Sequence, residues 1–159
     1  NYNDYKDMRY IDVDNDPSTF SSSSATFTFP QPDCNLIRYA GLYWSATYPR
    51  DEASDPVGTP RQYPIDQIRF RVPGGTYVDV TADEILYDGL TDPALQSNSP
   101  YACYADVTSL VTALPDPTGV YTAANIPAAQ GIGISVCLCG YKDAEGERGR
   151  ICERLVGNV

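Results

Sequence analysis

Alternate positions near the start of the chain hold three carboxylates, Asp12, Asp14 and Asp16. On an irregular loop, acids at i, i+2 and i+4 can converge on one hard cation, and Ca²⁺ takes oxygen ligands at about 2.3–2.6 Å. The loop differs from an EF-hand, because Pro17 and Ser23 stand where that motif has glycine and a bidentate glutamate. We therefore predict a calcium site at the three aspartates. The alternative is a series of Asx-turns that forms without metal.

A second candidate site is aromatic. Tyr43, Trp44 and Tyr48 follow one another closely in an apolar segment, and such rings could stack on a sugar. The alternative interpretation places Trp44 in the core, because it lies in the middle of a predicted strand. The sequence favours the core position for this residue.

Composition excludes several classes of function. The chain has 159 residues and no histidine, and its 11 Lys+Arg against 21 Asp+Glu give a net charge of −10. Without histidine there is no Ser-His-Asp or Cys-His catalysis and no imidazole-ligated metal. The negative charge disfavours nucleic acid and anionic membrane surfaces, and no apolar run approaches the roughly 20 residues of a membrane span. We predict no enzyme activity; a carboxylate-based glycosidase is the one enzyme class that the acids leave open.

The remaining chemistry-bearing residues are five cysteines, at positions 34, 103, 137, 139 and 152. None forms a C-x-x-C pair, so the spacing of a thiolate zinc site is missing. We predict disulfides in an oxidising compartment, with reduced buried thiols as the alternative. The odd count leaves at least one cysteine free or paired outside this chain.

Period-two alternation predicts the elements that position these residues. Asp106 can cap one short helix over residues 107–114, which Pro115 ends. The tail from residue 142 has no clear assignment. The pattern predicts a single all-β domain, a β-sandwich or jelly roll, and the start at Asn1 suggests part of a larger chain. Predicted strands cover residues 8–13, 25–29, 36–48, 67–72, 76–80, 85–87, 101–105, 119–126 and 132–139.

Several segments in order resemble a domain of very large secreted surface proteins of Bacteroidota, including gliding-motility-type adhesins exported by the type IX secretion route. The resemblance covers most of residues 8 to 131. The segments that carry it are Met8-Arg-Tyr-Ile-Asp-Val-Asp-Asn-Asp-Pro-Ser-Thr-Phe-Ser-Ser-Ser-Ser-Ala25, Ile37-Arg-Tyr-Ala-Gly-Leu-Tyr-Trp-Ser-Ala46, Cys103-Tyr-Ala-Asp-Val-Thr-Ser-Leu-Val111 and Gly119-Val-Tyr-Thr-Ala-Ala-Asn-Ile126.

The resemblance implies an extracellular, non-catalytic domain at the cell surface, used for adhesion or assembly, with neighbouring domains or copies of the same protein as partners. A carbohydrate-binding module for surface glycans and a subunit of a homopolymeric filament are the alternatives.

Because Cys34 and Cys103 both lie within the resembling region, we expect them to pair across a loop of about 70 residues. Cys152 then reaches either Cys137 or Cys139, and we take Cys137.

Overall fold

The described part of the computed structural model consists mostly of nine strands in two antiparallel sheets. The structure describes residues 10–28, 35–47, 63–92, 99–127, 130–142 and 151–158, with the backbone alone for residues 35–36, 90, 130–142 and 151–158. The strands are β1 (Ser22–Phe27), β2 (Asn35–Thr47), β3 (Gln67–Arg71), β4 (Val78–Thr81), β5 (Glu84–Leu86), β6 (Pro100–Asp106), β7 (Gly119–Ala124), β8 (Gln130–Lys142) and β9 (Ile151–Asn158).

The two sheets confirm the predicted all-β sandwich. One sheet has the order β1-β7-β3-β4 and the other β5-β6-β2-β8-β9. The pairs β3–β4, β5–β6 and β8–β9 join consecutive strands, whereas the remaining neighbours are far apart in the chain. The β3–β4 turn contains Gly74 at φ +69°, in the left-handed region that glycine adopts without strain.

Strand β2 is the central strand of the five-stranded sheet, as its apolar sequence predicts. Ala40, Leu42, Trp44 and Ala46 alternate along it, and each is at most 2% exposed. They pack with the inward residues of the facing sheet. Large side chains that are fully buried between the sheets include Phe27, Phe70, Tyr101 and Tyr121.

A buried backbone carbonyl just before β3 contacts two strands of the facing sheet. The indole Nε1–H of Trp44 donates to the oxygen of Ile65 at 2.9 Å. The thiol of Cys103, the register partner of Trp44 on β6, also contacts this oxygen at 3.4 Å. Ile65 lies two residues before β3, so this contact fixes where β3 enters the opposite sheet.

The helix is shorter than predicted. It comprises Thr108–Thr112, against the predicted 107–114. Val107 is the N-cap residue, because its backbone is not helical (φ −110°, ψ +19°), and its N–H donates to the carbonyl of Ala40 in β2 at 2.9 Å. Asp106 still accepts from the Thr108 N–H at 2.8 Å, as a capping side chain would.

Two other predictions differ from the structure. The described part of the predicted strand 8–13 is irregular, because its backbone is held by side-chain contacts that are described below. The unassigned tail forms β9, which pairs with β8 along its whole length. Among the described residues, no helix is both long enough and apolar enough to cross a bilayer.

We expect Trp44→Phe to lower the free energy of unfolding by roughly 2–3 kcal/mol, because it removes a buried donor and leaves a small void. Urea unfolding followed by circular dichroism measures this loss. Tyr43→Phe, on the exposed side of the same strand, is the control and should change stability by at most about 0.5 kcal/mol. Equal effects of the two variants would contradict the role of the Trp44–Ile65 contact.

Candidate functional site

The N-terminal loop, residues 10–21, is fastened to β1 by a buried hydroxyl. Ser22 is 2% exposed. Its Oγ accepts the backbone N–H of Val13 at 2.8 Å and lies within donor distance of Asp12 Oδ1 (2.7 Å) and Asp14 Oδ1 (3.0 Å). One hydroxyl hydrogen is thus shared between two carboxylates.

Asp14 is the centre of this arrangement. Its side chain is only 8% exposed, and its Oδ2 pairs with Nη2 of Arg71 at 3.1 Å. The Tyr77 hydroxyl donates to the same oxygen. Partial burial opposes ionisation, but hydrogen bonds from Tyr77 and neighbouring groups outweigh it and lower the pKa of Asp14 to about 2. Asp12, Asp14, Ser22, Arg71 and Tyr77 are called the Asp14 network below.

Asp16 has different partners. Its Oδ1 accepts from the backbone N–H of Ser18 at 2.9 Å and from the Ser18 hydroxyl at 2.6 Å. These hydrogen bonds lower the pKa of Asp16. The Ser18 Oγ in turn accepts from Nη1 of Arg69 at 2.6 Å. This geometry is the Asx-turn that the sequence offered as the alternative to metal.

The structure therefore brings the side chains of Asp12 and Asp14 together at Ser22, whereas the Asp16 side chain is hydrogen-bonded to Ser18. Within the ranges that the structure describes, no group of three or more His, Cys, Asp or Glu residues is placed to hold a metal. The positive charge next to Asp14 comes from Arg71. Calcium binding at the three aspartates stays a prediction, and it would require Asp14 to exchange that partner for the cation.

A cleft of about 160 Å³ opens beside the N-terminal loop. Phe20 of the loop and Tyr63, which precedes β3, stack with ring centroids 4.3 Å apart. Tyr10 meets the edge of Phe20 at 4.9 Å. The cleft is lined by Phe20, Tyr63, Pro64, Gln67, Ile68, Arg69, Asp79 and Asn125.

Asn125 holds the aromatic wall in place. Its Oδ1 accepts the backbone N–H of Phe20 at 2.9 Å, and its own N–H donates to the carbonyl of Ser21 at 2.9 Å. Its φ of +61° lies in the left-handed region, which asparagine tolerates better than most residues. The end of β7 thereby positions Phe20 from a distance of more than 100 residues in the chain.

The polar rim of the cleft is built on β3 and β4. Arg69 lies 3.6 Å from Asp79, and their side chains are 28% and 89% exposed. Such an exposed pair contributes little stability. A guanidinium, a carboxylate and two side-chain amides are thus presented next to aromatic rings. This combination can hydrogen-bond a polyhydroxylated ligand while a ring covers its apolar face.

The aromatic residues predicted to bind sugar have other positions. Trp44 is 1% exposed and belongs to the core, which corrects its place in the predicted sugar site. Tyr43 is 39% exposed on the outer side of β2, with its ring 5.0 Å from that of Tyr104. Tyr48 lies outside the described residues. The sequence does not identify Phe20 and Tyr63, because they are far apart in the chain and only the fold brings them together.

Of the predicted Cys34–Cys103 disulfide the structure describes Cys103 alone, because Cys34 lies outside the described residues, and the pairing stays a prediction. Cys103 is a free thiol, 3% exposed, and burial together with the charge of Asp66 raises its pKa to about 12. Its register partner on β2 is Trp44.

Comparisons with known proteins returned no matching family model, and no significant match among curated proteins or solved structures.

We expect the Asp14→Asn variant to lose about 1–3 kcal/mol of stability at pH 7, because the partly buried ion pair with Arg71 becomes a weaker contact. The pKa of Asp14 is lowered by folding, so its contribution is complete above pH 4 and is lost as the pH falls towards 2. The difference between wild type and variant should shrink over that range in urea unfolding.

Asp79→Asn is the control, because the Asp79 side chain is 89% exposed. It should change stability little at any pH. A wild-type minus Asp14→Asn difference that is constant from pH 7 to pH 2 would contradict the assignment.

For the predicted calcium site, thermal melts with EGTA and with excess Ca²⁺ are the test. A cation bound only by the folded state raises the melting temperature by mass action, and Asp14→Ala should abolish this rise. Melts of the wild type that coincide under both conditions would refute the site and leave Arg71 as the partner of Asp14.

Proposed function

We propose that this chain is a non-catalytic attachment domain of a cell-surface or secreted protein, and that it attaches by binding neutral saccharides in the cleft beside the stacked rings of Phe20 and Tyr63. The observation that supports this most directly is the pairing of an aromatic wall with a hydrogen-bonding rim. The sequence indicates carbohydrate binding as an alternative to adhesion. In this proposal the two are combined, because the domain adheres by binding carbohydrate.

The aromatic wall suits the apolar face of a sugar ring. Tyr63 is 40% exposed, so much of its ring surface is accessible to a ligand. Covering that surface with the C–H groups of a pyranose removes apolar area from water. Phe20 supports the Tyr63 ring from behind by stacking at 4.3 Å.

The rim suits hydroxyl groups. Gln67 and Asn125 offer amides, while Arg69 and Asp79 offer a cationic donor and an anionic acceptor. Planar groups of this kind can contact two neighbouring hydroxyls at once. Pairing of the two charges, together with the net charge of −10, favours a neutral ligand over a uronate or a sulfated sugar.

Location outside the cell is part of the proposal. It is supported by the sequence resemblance to secreted surface proteins of Bacteroidota. The thirteen tyrosines and two lysines of the chain agree with a β-rich binding domain.

Assembly with further copies is the second candidate function. Leu86 on β5 is 72% exposed and Val78 on β4 is 38% exposed. Both strands stand at an end of their sheet in the strand order. Edge strands with exposed apolar side chains can pair with the edge of another subunit.

The purified chain should bind neutral glycans on an array, and titration calorimetry with the best ligand should give a measurable Kd. Tyr63→Ala should weaken binding at least about tenfold, because it removes the stacking surface. Tyr43→Ala is a matched control, since Tyr43 is 39% exposed but lies on the other sheet.

Three results would overturn the proposal: binding to no glycan, equal loss in both variants, or loss in Tyr43→Ala alone. Light scattering or electron microscopy that shows ordered oligomers without glycan binding would support assembly instead.

A further inference from the structure

We propose that Cys139 and Cys152 form a disulfide that fastens β9 to β8. This inference rests on the extracellular part of the proposed function for its oxidising environment. It is independent of the cleft, which lies at the other sheet.

The pairing register of β8 and β9 supports this disulfide. Cys139 and Cys152 are direct partners, flanked by the pairs Leu138–Glu153 and Gly140–Ile151. Opposed residues of an antiparallel pair have Cα atoms about 4.5–5.5 Å apart and share one face of the sheet. A disulfide spans Cα distances of about 4.4–6.8 Å. The backbone therefore already has the required spacing.

The same register argues against the Cys137–Cys152 pairing predicted from the sequence. Cys137 is opposite Arg154, two positions beyond Cys152. Diagonal neighbours of this kind are about 7–8 Å apart, beyond the usual disulfide range. The sequence could not separate the two choices, because Cys137 and Cys139 differ by one period of the strand.

Cys103 is not a competing partner. It lies on β6, and β2 separates β6 from β8 in the sheet. Two strand spacings place it about 10 Å from β8 in the plane of the sheet. Its thiol is also buried against the carbonyl of Ile65.

The oxidation balances with a small-molecule disulfide as oxidant. The thiolate of one cysteine attacks oxidised glutathione, forms a mixed disulfide and releases one glutathione thiolate. The second cysteine, as its thiolate, attacks the mixed disulfide, forms the Cys139–Cys152 bond and releases a second glutathione. The protein loses two electrons and two protons, and these reduce one oxidised glutathione to two reduced molecules.

The bond would stabilise an outer strand. β9 ends the five-stranded sheet, and β8 is its partner in that sheet. The two cysteines are 13 positions apart, and the bond closes that segment into a loop. A crosslink restricts the unfolded chain and so favours the folded one.

The reduced full chain should be equilibrated with oxidised and reduced glutathione, quenched with N-ethylmaleimide and mapped by mass spectrometry without reduction. We expect a Cys139–Cys152 crosslinked peptide as the main product, with Cys137 alkylated in the folded protein. Cys103 should be alkylated only after denaturation. A main product joining Cys137 to Cys152, or all thiols remaining alkylatable, would overturn the proposal.

Variants give a second readout. Oxidation should raise Tm by about 5–10 °C in the wild type and in the matched control Cys137→Ser. Cys139→Ser and Cys152→Ser should lose this rise. A rise that is lost in Cys137→Ser and kept in Cys139→Ser would refute the pairing. Glycan binding is also measured with the reduced wild type. Binding without the disulfide would show that failure of the pairing is separate from failure of the proposed function.

Discussion

The carbonyl of Ile65 is the contact on which much of the described structure depends. It is buried between the sheets and accepts from Trp44 of β2, with Cys103 of β6 also in contact. A buried carbonyl without donors would cost about 1–3 kcal/mol, so the central strands are held in one position relative to it. Ile65 directly follows Tyr63 and Pro64 in the chain. The contact that ties the sheets together therefore also sets the position of one cleft wall.

Strand β3, which follows Ile65, positions side chains on the surface of the sheet. Ile68 and Phe70 point into the core, each at most 2% exposed. Between and after them, Arg69 and Arg71 point outward and place their guanidinium carbons 5.1 and 4.6 Å from the Tyr77 ring centroid. Because alternation is strict in a strand, burial of the apolar residues fixes the direction of both arginines. The alternation of apolar residues and arginines along the five residues of β3 therefore determines both the core packing and the position of Arg71 in the Asp14 network.

Local patterns predicted the elements well. The predicted strand 36–48 differs from β2 (Asn35–Thr47) by one residue at each end, since its alternation is long and its ends are polar. Strand β9 had no such signal, because Glu153, Arg154, Leu155 and Val156 group polar and apolar residues in pairs rather than alternating them. It is recognisable only through its pairing with β8.

The candidate site was less predictable, because its contacts are distant in the chain. Spacing alone showed that Asp12 and Asp14 need a positive partner. It could not distinguish a cation from Arg71, which arrives on another strand. The cleft likewise combines Phe20, Tyr63 and Asn125, and no short motif contains any two of them.

The Asp14 network and the cleft are connected by the N-terminal loop. Asp14 anchors the middle of the loop through Arg71, and Asn125 anchors its end at Phe20. A wall held at both places has little conformational freedom left to lose when a ligand binds, which favours affinity at a small contact area. The ion pair with Arg71 also neutralises the charge of Asp14, so this carboxylate adds little negative potential at the cleft. The residual charges there, Arg69 and Asp79, oppose each other. A chain with net charge −10 thereby presents a locally balanced surface, which suits an uncharged saccharide.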